Sequence, residues 1–113
     1  MPKRDTRLYV ADIVDSAAAI REFIGEMDFE SFVHDRKTYS ATIREYIIIG
    51  EAISALIGLL EAQIPDYPWR MVKDFRNMIV HEYFGVDPRI VWDLTQLELD
   101  DLVAKIQTLK AGD

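Results

Sequence analysis

The sequence predicts an all-α fold, an antiparallel helical bundle, and three features carry that expectation. Apolar residues recur at three- and four-residue spacing along most of the chain, no segment alternates in the strand pattern, and Asp, Gly and Pro fall between the periodic stretches. With 113 residues, half of them apolar, the chain suits one domain over residues 1–113 that can bury a core without disulfides or a structural metal.

The first helix is expected from Asp5 to Met27, with Leu8, Ile13, Ala17, Ile20, Phe23 and Ile24 repeating at helical intervals. Asp28 is a candidate N-cap for a short helical turn containing Ser31 and Phe32. From Asp35 to Gln63 the apolar residues lie almost all round, which marks the most buried helix of the set. Pro65 and Pro68 end it, because proline lacks the amide hydrogen and restricts the residue before it. Trp69 to about Glu82 forms the next helix, and Asp87-Pro88 then supplies an N-cap followed by proline at the first helical position. The last segment, Arg89 to Leu109, shifts its apolar phase near Gln96 to Glu98, where an irregularity is expected. Trp69 and Trp92 read as core anchors.

Composition excludes several functions. There is no cysteine, so zinc ribbons, thiol redox chemistry and cysteine nucleophiles are ruled out. The N-terminal residues do not read as a signal peptide, and apolar runs such as Tyr46–Ile49 stop after four residues, so a cytoplasmic address is expected. The net charge of −7 argues against a general nucleic-acid coating protein. The stretch from Trp69 to Arg89 nevertheless carries one cation in excess, which makes it the least acidic surface available to RNA. No glycine pattern cradles phosphate, no serine sits in a nucleophile elbow, and His34 and His81 do not form a metal-binding pair. His34, beside Asp35, reads as a surface or capping residue.

The informative stretch is Arg76-Asn77-Met78-Ile79-Val80-His81-Glu82-Tyr83. Imidazole exchanges a proton near neutral pH, and a guanidinium can hold a phosphate and the charge that builds on it, so phosphodiester chemistry needs no metal here. Asn77 and His81 share a helix face. Arg76 and His81, five residues apart, point roughly 140° apart on an ideal helix. Either the helix distorts before His81, the arginine side chain curls round, or a second copy completes the site. The high apolar content of the helices favours a homodimer. Glu51, a carboxylate in a strongly apolar segment, either pairs with a cation such as Arg76 or lies partly exposed at the edge of the bundle.

Arg, four residues, His, one residue, Tyr resembles the signature of the HEPN superfamily, in particular its HepT branch. The resemblance extends through Asp12-Ile13, Met27 to Phe32, Asp35 to Thr38, Ile49 to Ala52, Tyr67-Pro68-Trp69, Tyr83 to Asp87 and Trp92. It implies a HEPN-like bundle acting as a metal-independent endoribonuclease, the toxin of a two-gene toxin–antitoxin pair. Arg76 and His81 are then catalytic, with Asn77 and Glu51 supporting them. The implied products carry a 2′,3′-cyclic phosphate. The implied partner is an MntA-type nucleotidyltransferase antitoxin that uses ATP to AMPylate Tyr83, placing bulk and negative phosphate beside Arg76 and His81. Catalysis itself requires no cofactor in this reading.

The chain departs from many relatives in having Asp74-Phe75 where they have a small residue before the motif. Asp74 either changes how two chains meet or pairs with a nearby cation. Each motif residue also has a plain structural reading: Arg76 as an ion-pair partner, His81 against helix C-terminal carbonyls, Tyr83 as a packing residue. The alternative function is a non-catalytic subunit that presents substrate to a two-component nucleotidyltransferase.

Overall fold

The computed structural model describes residues 5–81 and 86–110 and, among them, contains six helices and no strand. They are α1 (Thr6–Ile24), α2 (Phe29–His34), α3 (Arg36–Gln63), α4 (Trp69–His81), α5 (Pro88–Leu97) and α6 (Leu99–Gln107). The expected antiparallel bundle is present, with α3 as its central rod: α1, α2 and α4 pack on it, α6 lies against α1, and α5 against α2 and α6.

Local chemistry sets the helix starts. Asp5, Asp28, Asp35 and Asp87 are all N-caps, their carboxylates accepting from the backbone N–H of Arg7, Ser31, Thr38 and Arg89 at 2.8–3.0 Å. The Ser31 N–H holds the Asp28 carboxyl below the usual carboxylate range. Helix α1 stops at Ile24 rather than continuing to Met27, because Gly25 takes φ +52°, a conformation L side chains rarely adopt, and returns its N–H to the Arg21 carbonyl. The shift of apolar phase near Gln96–Glu98 is a real break: Glu98 ends α5 and begins α6, and it lets Leu99 turn into the core.

Ile13, Ala17, Ile20 and Ile24 of α1 are buried, as are Ile43, Ile49, Ile53, Leu56 and Leu60 of α3. At this interface the apolar stripes exclude water, at roughly 25 cal/mol per Å². Trp69 is buried where α4 begins, and its indole N–H donates to the Ile64 carbonyl at 2.8 Å, fixing the turn through Pro65 and Pro68. Trp92 is half-buried, its ring meeting those of Phe29 and Phe32 with centroids 6.0 and 5.3 Å away. Among the described residues, no helix is long and apolar enough to cross a membrane.

Candidate active site

Helices α3 and α4 meet tightly at Gly50. A Cβ built there would fall inside van der Waals contact of Arg76 Cβ and Cγ, with Arg76 Cα 3.6 Å away. The bare backbone of α3 therefore forms a seat across which the first carbons of Arg76 run. This brings the arginine head to the next residue of α3, Glu51, where Nη2 donates to Oε1. Nη1 donates to Asn77 Oδ1 at 2.8 Å. Both readings of Glu51 hold together: it pairs with Arg76, and its side chain is 56% exposed. Arg76 is the more enclosed partner at 24% side-chain exposure, and its Nε is buried with no hydrogen-bond partner among the described residues.

Arg76, Asn77 and Glu51 thus form one cluster. His81 is exposed at the last residue of α4, one turn beyond Asn77, and among the described residues no hydrogen bond ties it to Arg76. Helix α4 runs unbroken through both residues, so no distortion turns the imidazole toward the cation. Nor does the arginine curl toward His81; its hydrogen bonds go to Glu51 and Asn77. Within one chain, then, neither helix distortion nor the course of the arginine side chain joins Arg76 to His81. Tyr83 and Glu82 lie outside the described residues. Asp74 is exposed, while Phe75 is half-buried and packs edge-on against Tyr46 at 5.9 Å between centroids. His34 is exposed and lies 3.5 Å from Glu30.

Sequence reasoning missed what lies beside the cluster. An apolar groove of about 410 Å³ opens between α3, α4 and the α5–α6 pair, lined by Tyr46, Gly50, Met71, Phe75, Arg76 and Leu94 among others. Met71 is 70% exposed and Ile90, also on the groove, is 44% exposed. Tyr46 also has its hydroxyl 2.5 Å from Thr95 Oγ1, which itself donates to the Val91 carbonyl at 2.9 Å. Burial pushes the Tyr46 phenol up to about 12. The signal for Gly50 was present, a glycine inside an otherwise apolar helix, which often marks close backbone approach. The groove had none, because its walls come from segments far apart in the chain. Among the described residues, no three His, Asp or Glu side chains converge as metal ligands would.

Comparisons with known proteins bear on the family of the chain. A family model described as Ribonuclease HepT-like matches residues 13–109. A Thermococcus cleftensis protein named "Probable ribonuclease HepT" is 36% identical over 96% of this chain and 98% of its own length. A Methanocaldococcus jannaschii protein named provisionally as an RNase is 32% identical over 96% of this chain and 90% of its own. Another protein so named, from Caldanaerobacter subterraneus, is 30% identical over 91% and 92%. No solved structure gives a significant match.

Proposed function

This chain belongs to the ribonuclease HepT-like family, and on that basis we propose that it is a cytoplasmic, homodimeric endoribonuclease toxin that cleaves RNA without a metal ion. The observation that carries the reading is the chemistry of α4: one helix presents a partly buried guanidinium at Arg76 and an exposed imidazole at His81. Two such helices facing each other supply a cation and a proton carrier to one phosphodiester. The apolar groove beside Arg76, with Met71 exposed on it, favours association of two copies.

In this reaction the ribose 2′-oxygen attacks the adjacent phosphorus and the bond to O5′ breaks. His81 takes the 2′-hydroxyl proton or gives one to the leaving O5′, and Arg76 holds the extra negative charge on the pentacoordinate phosphorus. The products are a 2′,3′-cyclic phosphate and a 5′-hydroxyl. The test is an RNA oligonucleotide incubated with excess EDTA. The parent should cleave it to cyclic-phosphate ends and His81→Ala should not; cleavage retained by the variant removes His81 from the mechanism.

In the same reading the partner is a nucleotidyltransferase antitoxin that silences the toxin by transferring AMP from ATP onto Tyr83. A second reading, a non-catalytic substrate-binding subunit, is favoured by one observation: within a single chain Arg76 is engaged by Glu51 and Asn77 and not by His81. Mass spectrometry after co-expression with the nucleotidyltransferase separates the two. AMP additions on Tyr83 support the silenced toxin, and an unmodified, tightly bound complex supports the subunit.

A further inference from the structure

We infer that Glu51 stands in for an RNA phosphate on Arg76, a built-in carboxylate that the substrate must displace. The inference rests on the ribonuclease reading only for the nature of the incoming anion. The Arg76 guanidinium has little room for choice. Its carbons are laid across Gly50, its Nε is buried, and Nη1 is held by Asn77. The group that remains for a ligand is Nη2, which carries two N–H donors, and Glu51 takes one of them. A carboxylate oxygen and a phosphate oxygen make the same charge-assisted bond to that group, so they compete for it.

The asymmetry of exposure decides which partner moves. Arg76 is enclosed at 24% exposure, whereas Glu51 is 56% exposed and can swing into water when a phosphate arrives. A pair with one half-exposed member is weak enough for this exchange. The arginine stays aimed throughout, because Gly50 and Asn77 fix it independently of Glu51. Glu51 is therefore a competitor for the guanidinium that sets the threshold for substrate entry, and its loss should tighten RNA binding.

The experiment measures binding rather than cleavage, using a 2′-O-methyl oligoribonucleotide that cannot be cut, by fluorescence anisotropy over a range of salt. Glu51→Gln keeps the size of the side chain and removes its charge. It should lower Kd by about fivefold, with the slope of log K against log salt unchanged, because the same phosphate is neutralised on Arg76 with or without the carboxylate. Glu61→Gln is the control, since Glu61 also lies on α3 and pairs with an arginine of α4, Arg70, at 3.1 Å. It should change Kd less than twofold. In an Arg76→Ala background, Glu51→Gln should have no effect. Unchanged or weaker RNA binding by Glu51→Gln overturns the proposal, as does an equal gain from Glu61→Gln, which would reflect net charge alone. Loss of RNA cleavage in the parent would defeat the ribonuclease reading and leave this binding result standing.

Discussion

Replacing Gly50 by alanine adds one methyl group at a tight contact between α3 and α4. Two effects oppose each other. Alanine in a helix interior gains up to about 1 kcal/mol over glycine, while overpacking a filled contact costs about 1–3 kcal/mol. The obstructing atoms decide the balance. Arg76 Cγ can move by a change of rotamer, but Arg76 Cβ is fixed to the backbone of α4 and Arg76 Cα stands behind it at 3.6 Å. The new methyl is accommodated only if α4 shifts, and that shift would also pull Arg76 away from Glu51. A net loss of about 1–2 kcal/mol is expected, which lowers the melting temperature by roughly 4–8 °C in a chain of this size. Gly58→Ala is the internal control, because nothing lies within 4 Å of a Cβ at that position of the same helix; it should be neutral or stabilising by up to about 1 kcal/mol. Urea and thermal unfolding of the two variants beside the parent check both values. If Gly50→Ala proves as stable as Gly58→Ala, α4 does not rest on α3 as described, and the account of how Arg76 is aimed is wrong.

Three further outcomes follow from the same structure. The Tyr46 phenol is raised to about 12 by burial, so the folded state favours its neutral form; that stability is fully present below pH 10 and is lost as pH rises through 12. Tyr46→Phe should lack this loss of about 2–3 kcal/mol between pH 10 and 12, which denaturant titrations across that range would reveal. Trp69→Phe removes the bond to the Ile64 carbonyl and part of the buried ring, and should cost about 2 kcal/mol, read as a lower urea midpoint at unchanged slope. His81→Ala should abolish RNA cleavage with no change in far-ultraviolet circular dichroism, since His81 is exposed at the end of α4.

The parts of the fold legible in the sequence are those governed by neighbours in the chain. Asp28, Asp35 and Asp87 announce helix starts because a cap is made within two or three residues. The end of α1 was harder, since apolar spacing continues past Gly25 to Met27 and the backbone reversal at Gly25 outweighs it. The phase shift before Leu99 showed that the last segment could not be one straight helix, though the break at Glu98 carries no side-chain cap to mark it. At the site, the Arg76 to Tyr83 motif stood out by residue type. The seat on Gly50 did not, because it depends on which face of α4 meets α3. The 140° separation of Arg76 and His81 was legible from helix geometry, and the continuous α4 retains it. The hydrogen bond between Tyr46 and Thr95 joins residues of α3 and α5, so nothing local could reveal it.

The carboxamide of Gln63 grips the backbone of Lys110 from both sides, accepting from its N–H at 2.9 Å and donating to its carbonyl at 2.8 Å. Gln63 is thirteen residues beyond Gly50 on one continuous helix, a distance of about 20 Å along the axis. The chain is clipped to the far end of the rod before it continues past Lys110. A dye or affinity handle attached after that clip would be tethered about 20 Å from the Gly50 seat, so labelling or immobilisation there leaves Arg76 unobstructed.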